Sequence, residues 1–484
     1  MVPRSDVTFL IDAIDLFERP VRLRLPFGFG AAMLDEAPQA FVRARIRLPD
    51  GREASGWAAE LMVPKWFDKS AGRSNADNLD DLRRALTLAA EAYVSDRGYR
   101  AAFAHAAMHY APLQLEGSRQ GLNALVASYG AALIDRAVLD ALCRALGIDF
   151  ATAIRANVPR IDAALTPDLR DFAFDAFLDA AEPTSAIAAR HTVGLVDPLS
   201  SAEVAARPDD DLPVSLDEVI ARYGNRFFKL KLSGDVRRDV ERLIGIAAML
   251  DVLSKYAVTL DGNEQFASVE VVSEFWRAVR AEPRLARLAA ATLYLEQPLP
   301  RDIALASDVR ELAQFAPLVI DESDATFDAF CEARQSGYAG VSSKSCKGLY
   351  KTFVNAARCA YGHHRERPFM TGEDLTAQAG LALQQDLALA GLIGLTHVER
   401  NGHHYVDGFN GQAAPPAEQR AFVQSHPDLY EATSVGARVR IRHGTVAFGS
   451  LHVSGFASAA SPDAASLTRL KAAAAAAHTQ RGAV

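Results

Sequence analysis

Apolar and polar positions alternate in short runs between residues 8 and 60, most clearly at 21–25 and 41–48, and the second run breaks at Pro49-Asp50-Gly51. A period of two with turn chemistry between runs predicts an antiparallel sheet. From Asn78 to about Phe177 the apolar positions take helical spacing, as in Leu82, Ala85, Leu86 and Ala89. A helical layer therefore follows the sheet, giving an α+β domain. After about Ala186 short apolar runs alternate with amphipathic stretches, and the runs at 186–195, 226–232, 257–260, 291–295, 317–320, 338–343, 367–371 and 392–398 are candidate strands. Strands alternating with helices in this number fit a β/α barrel, which takes about 250 residues, better than an open doubly wound sheet. An open sheet would usually carry a glycine-rich phosphate turn after a strand, and none follows one here.

Asn401-Gly402, set between 396–400 and 403–406, predicts a hairpin that turns the chain back after the last barrel strand. The expected division is an α+β domain over 1–185, a barrel over 186–400, and a segment over 401–484 that packs back against the first domain. The alanine run 472–477 reads as a helical end without a role.

Composition narrows the class. A chain of 484 residues, 49% hydrophobic, can bury more than one core. The net charge of -8 argues against nucleic acid as a partner, because that binding depends on clustered Lys and Arg. No apolar run is long enough to span a membrane, and the N-terminal residues lack a signal-peptide pattern. The cysteines, Cys143, Cys331, Cys346 and Cys359, have neither disulfide-framework nor zinc-site spacing, so a reducing cytoplasm is expected.

Chemistry enters where polar residues interrupt the strands. In Phe227-Phe228-Lys229-Leu230-Lys231-Leu232 the two lysines share a face, since side chains alternate along a strand. Three later runs end in carboxylates: Leu260-Asp261, Leu295-Glu296 and Ile320-Asp321-Glu322. In a barrel these ends converge on one mouth, where they would repel one another without a cation. Oxygen-only ligands select a hard ion such as Mg²⁺. Asp321 is taken as the third ligand, with Glu322 as the alternative. A further run ends Ser343-Lys344-Ser345-Cys346-Lys347 and sets a lysine across the mouth. Lys347, three residues on, would face away from Lys344 on a regular strand. The pairs His363-His364 and His403-His404 are expected at the surface or in packing.

In the order of these elements the chain resembles the enolase superfamily, in its muconate-lactonizing-enzyme and dipeptide-epimerase branch. The matching residues are Lys229 and Lys231, Asp261 with Asn263, Glu296 before Gln297-Pro298, Asp321-Glu322-Ser323, and Lys344. Pro26-Phe27-Gly28-Phe29-Gly30 and the stretch from Asp50-Gly51 to Gly56-Trp57 resemble the family's capping-domain loop and following strands. The resemblance implies a modified TIM barrel, (β/α)7β-like, with its α+β capping domain completed by the C-terminal segment. It also implies a Mg²⁺-dependent enzyme that removes the α-proton of a small carboxylate substrate to give an enediolate. Lys231, with Lys229 beside it and its basicity expected to be depressed by that neighbour, and Lys344 on the opposite face would be the acid/base groups. Asn263, Glu373, Lys347, Phe27, Gly28 and Phe29 are expected at the substrate, the last three as a lid. The outcome would be racemisation, epimerisation or cycloisomerisation, with β-elimination an alternative; a Schiff-base aldolase and a non-catalytic metal-binding relative are the more distant ones. A homo-oligomer is compatible with this reading. No histidine ends the seventh strand, unlike the mandelate-racemase and sugar-acid-dehydratase branches. Gly348-Leu349 replaces a frequent double glycine, and the interval from Asp261 to Glu296 is longer than usual; both differences bear on the substrate more than on the metal.

Overall fold

A computed structural model describes residues 7–30, 32–361 and 367–470. The pair His363-His364 and the alanine run 472–477 lie outside the described residues. The chain opens with an antiparallel sheet of β1 (Leu10–Phe29), β2 (Ala32–Arg47) and β3 (Glu53–Leu61), as the alternation predicts. Near the C-terminus, Thr468–Arg469 pairs with Glu18 and Phe17 of β1. The β1–β2 register shifts between Arg22 and Phe27. In that interruption Arg24 reaches across to the carbonyl of His404 at 2.7 Å.

Helices α1 (Asn75–Ser95), α2 (Ala102–Arg119) and α3 (Ala124–Leu146) cover one face of the sheet. Ala and Leu occur all round α3, which is buried on nearly every side, as such a helix must be. Gly56 of β3 permits the close approach: a Cβ there would sit 2.1 Å from the backbone nitrogen of Ala141.

The second half of the chain is the barrel. Its parallel strands are β4 (Ala186–Val193), β5 (Phe227–Lys231), β6 (Ala257–Asp261), β7 (Thr292–Glu296), β8 (Leu318–Ile320), β9 (Gly340–Ser343), β10 (Phe369–Gly372) and β11 (His397–Arg400). Ladder bonds run in order from β4 to β10, and β11 pairs with β4. Between β10 and β11 the seam is bridged by Arg190 of β4, which donates to the carbonyl of Gly372 at 2.8 Å. The short strand Thr445–Ala447 adds antiparallel to the start of β4. Phe228, Leu230, Val258 and Leu260 pack outward against the helices, leaving Lys229, Lys231, Thr259 and Asp261 to the interior.

Two expectations fail here. The apolar run that predicts a strand over 392–398 starts in the last residue of the buried helix Leu381–Leu392 and its turn, and β11 begins only at His397. A short apolar run does not distinguish a buried strand from a buried helix. The Asn401-Gly402 hairpin is also absent: Gly402–Tyr405 is one helical turn, and the Asn401 carbonyl accepts from the backbone N–H groups of His404 (2.9 Å) and Tyr405 (3.0 Å). Among the described residues no helix is long and apolar enough to cross a membrane.

Candidate active site

Strand register sets the site. Lys231, Asp261 and Glu296 are direct neighbours across β5, β6 and β7, so their side chains enter the barrel at one level. Asp321 follows the last residue of β8, Lys344 that of β9 and Glu373 that of β10, while Glu399 lies within β11. Strands β5 and β9 are four positions apart in the eight-stranded parallel order, so Lys231 and Lys344 enter from opposite walls with the strand-end carboxylates between them. All of these side chains are buried.

Lys229 occupies the centre. Its Nζ lies 2.9 Å from Asp261 Oδ2, 2.8 Å from Glu296 Oε2, 2.7 Å from Glu373 Oε2 and 2.9 Å from Glu399 Oε2. Lys231 donates to Asp261 Oδ2 at 2.6 Å. Lys344 donates to Asp321 Oδ2 at 2.5 Å, and Ser342 donates to the other oxygen of Asp321. Lys347 also reaches Asp321, at 3.3 Å, together with Asp324 at 3.1 Å. The alternation argument for Lys347 fails because β9 ends at Ser343 and a 3-10 turn, Ser345–Lys347, carries the side chain back toward Asp321.

Burial and charge shift the titrations. Burial pushes Glu296 well above the usual carboxylate range, and Asp261 and Glu373 beside it push the same way. Burial also opposes charge on Asp261 and Asp321, but Lys229 and Lys231 hold the first below its usual value and Lys344 and Lys347 hold the second well below. At Lys229 and Lys344 burial acts to depress basicity, but the carboxylates around Lys229 and Asp321 beside Lys344 outweigh it and raise both.

A cavity of about 20 Å³ lies above these groups, lined by Lys231, Lys344 and Asn263 from the barrel and by Phe27, Phe29 and Trp66 from the capping domain. Lys344 Nζ sits 4.3 Å from the Trp66 ring centroid and Lys231 Nζ 5.8 Å from that of Phe27. The volume is room for about one water, so the mouth is closed. Gly28 packs instead beside Leu195 and Val196. Glu373 lies deeper, its carboxylate taken by Lys229 (2.7 Å), Arg190 (2.5 Å) and Tyr294 (2.8 Å), which leaves no free face for a substrate. Lys347 lines a separate apolar cavity behind the mouth, beside Tyr350 and Lys351.

Asp321 and Glu322 diverge. Asp321 faces Lys344, whereas Glu322 Oε1 accepts from Lys69 of the capping domain (3.1 Å) and from Asn263 Nδ2 (3.2 Å). Oxygens of Asp261, Glu296 and Asp321 at adjacent strand ends are the donor chemistry a hard cation takes. The buried Asn263 Oδ1 and Glu322 Oε2 make no hydrogen bond, so acceptor capacity is left over beside that set. The residues fit a divalent cation, with Lys229 now holding the place between Asp261 and Glu296.

Sequence reading missed Arg190, Tyr294, Glu399, Trp66 and Lys69. Glu399 and Arg190 carried a usable signal, as charged residues beside apolar Val398 and inside the apolar run 186–195; the others show their position only through tertiary contacts.

No family model matches the sequence, and no curated protein matches it. Solved structures do. A mandelate racemase/muconate lactonizing protein from Herpetosiphon aurantiacus is 17% identical, with 93% of this chain and 98% of that one covered and a TM-score of 0.58. A dipeptide epimerase from Enterococcus faecalis V583, complexed with Mg and the dipeptide L-Leu-L-Tyr, is 13% identical over 95% of this chain and 100% of that one, with a TM-score of 0.59. A muconate lactonizing enzyme from Pseudomonas fluorescens, complexed with muconolactone, is 17% identical over 94% and 98%, with a TM-score of 0.57. Over more than nine-tenths of its length, the chain has the fold of these mandelate racemase/muconate lactonizing and dipeptide epimerase structures.

Proposed function

We propose that this protein is an isomerase that abstracts the α-proton of a small carboxylate substrate, using Lys231 and Lys344 on opposite faces and Mg²⁺ held by Asp261, Glu296 and Asp321. The observation that carries this reading is the placement of the two lysines on opposing walls of one closed cavity, with three strand-end carboxylates between them. Bound there, Mg²⁺ would supply positive charge to the substrate carboxylate and to the negative charge that develops on it. The chain's own residues do the rest. Lys231 and Lys344 hold or deliver the proton at the two faces of the α-carbon, while Asn263 offers an unpaired Oδ1 at the cavity wall. Phe27, Phe29 and Trp66 exclude water, which strengthens every charge interaction inside. When Asp261 and Glu296 turn to a cation, Glu373 and Glu399 remain to hold the Lys229 ammonium. Proton transfer between the two faces supports racemisation, epimerisation or cycloisomerisation. A Schiff-base reaction would give the three strand-end carboxylates no role.

Deuterium uptake tests the proposal. A panel of carboxylates is incubated with the protein and Mg²⁺ in deuterated water and read by mass spectrometry. Exchange at an α-carbon is expected for at least one substrate class, with loss in Lys231→Ala and loss from one stereoisomer only in Lys344→Ala. Equal and complete loss from both stereoisomers in each variant would remove the division of faces, and Mg²⁺-independent exchange would remove the metal.

A further inference from the structure

Outside the barrel mouth, the capping domain holds a second group of buried ligating side chains. His105 and His109 are one turn apart on α2 and therefore share a face, and Asp96 caps the C-terminus of α1 opposite them. Their ligand atoms, one from each residue, all lie within 4.8 Å of one another, a convergence met by no other His, Cys, Asp and Glu group among the described residues. Asp96 Oδ2 is 3.8 Å from His105 Nδ1 and 3.6 Å from His109 Nε2. Both ring nitrogens are buried and make no hydrogen bond.

The surroundings set the chemistry of these atoms. His105 Nε2 is 3.0 Å from the carbonyl of Phe9. A carbonyl only accepts, so Nε2 carries the proton and Nδ1 turns its lone pair toward Asp96. Metal-binding histidines are commonly fixed in this way by a backbone carbonyl. His109 is held by its ring packing on Tyr93, with centroids 4.5 Å apart. Asp96 is oriented by the Gly98 N–H (2.9 Å to Oδ1) and by Arg100 (2.9 Å to Oδ2 and 3.3 Å to Oδ1). Arg100 weakens the field for a cation, yet its two hydrogen bonds also fix the Asp96 carboxylate in place.

We propose that Asp96, His105 and His109 form a binding site for a zinc-class divalent cation, separate from the barrel mouth. Two imidazoles and one carboxylate suit zinc and its neighbours, whereas Mg²⁺ and Ca²⁺ prefer oxygen throughout. Tetrahedral zinc at about 2.0–2.1 Å from its ligands spaces them roughly 3.4 Å apart, so the two separations from Asp96, 3.8 and 3.6 Å, need close by only a few tenths of an ångström. A metal here joins the end of α1 to α2, beside Phe9, the residue before β1, which pairs with Arg100 through backbone bonds of 3.0 and 3.1 Å. Its role is structural.

Cobalt(II) provides the test, because its visible absorption reports imidazole ligation and low coordination number. Chelator-treated whole protein is titrated with Co²⁺ in excess Mg²⁺, then with Zn²⁺. One equivalent is expected to give a visible band that Zn²⁺ abolishes, with a rise in thermal midpoint on Zn²⁺ addition. His109→Gln and Asp96→Asn should each lose the band, while Asp261→Asn keeps it. No band in the wild-type protein overturns the proposal whatever the variants do. A band that persists in folded His109→Gln, or one lost in Asp261→Asn, also overturns it by placing the ion elsewhere.

Discussion

Lys229 concentrates more opposite charge around one atom than any other side chain at the mouth, with Asp261, Glu296, Glu373 and Glu399 all within 3 Å. Removing one partner of a buried charge cluster typically costs about 3–5 kcal/mol, because the remaining charges stay desolvated and unpaired. Lys229→Met should therefore lose about that much in urea unfolding. It should regain part of the loss on Mg²⁺ addition, and a substitution without effect on stability would mean that the carboxylates relax into solvent. Asp261→Asn tests the complementary side. In the wild-type protein Mg²⁺ at about 100 times its Kd should add about 2.7 kcal/mol of stability, and the variant should lose most of this while retaining its circular dichroism. The two residues were legible in the sequence for a physical reason: a charged side chain inside an apolar strand must face something polar, and the period of two says which side. Trp66 was not legible, because it interrupts no pattern and lies in the turn after β3. Arg190, a charge inside the apolar run 186–195, carries the same signal as Lys229, but its partners appear only when β10 and β11 are brought beside β4.

At the scale of elements, the cover of the mouth is made of two pieces from one sheet, the end of β1 with Phe27 and Phe29 and the turn after β3 with Trp66. The cavity they enclose is too small for a substrate, so these pieces must move for one to enter. Trp66→Ala removes the ring over Lys344 and should open the mouth without disturbing the barrel strands. An amine-acylating reagent applied at alkaline pH should label Lys344 slowly in the wild-type protein and faster in Trp66→Ala, with peptide mass spectrometry as the readout. Equal labelling in both would mean that Trp66 is not what shields it. The elements most readily read from sequence were those with long, regular periods, the capping sheet and the barrel strands with their outward Leu and Val. Elements near residues 381–405 resisted because their local signals point to the wrong partners. The helix Leu381–Leu392 is buried nearly all round, Gln384, Gln385 and Asp386 included, and so shows no apolar face, while Asn401-Gly402 starts a helical turn, with Asp374 accepting the Asn401 N–H at 3.0 Å.

Across the whole molecule, buried titratable groups set opposing slopes on stability as pH changes. His191, His403 and His404 cluster beneath the β1 interruption, and burial lowers all three, His403 to about 3. A histidine lowered in the folded state binds its proton more readily when unfolded. Its contribution is present above its unfolded value of about 6.5 and is lost as pH falls below that. Asp135 and Glu60 behave oppositely. Burial raises each to about 7, so the folded state keeps a proton that the unfolded chain has released, and that stability is lost as pH rises through about 7. Asp135 offers the cleaner test, because its one hydrogen bond comes from Tyr93 at 2.7 Å and no cation enters its titration. Asn has nearly the shape of the protonated acid. Asp135→Asn should gain on the wild-type protein as pH rises from about 4 to about 7, by at most about 1.4 kcal/mol for each pH unit, and the difference in urea midpoint should level off above pH 7. A difference that stays constant from pH 4 to pH 7 would show that Asp135 titrates alike in the folded and unfolded protein, its charge sustained by an approach of water or of a cation to α3.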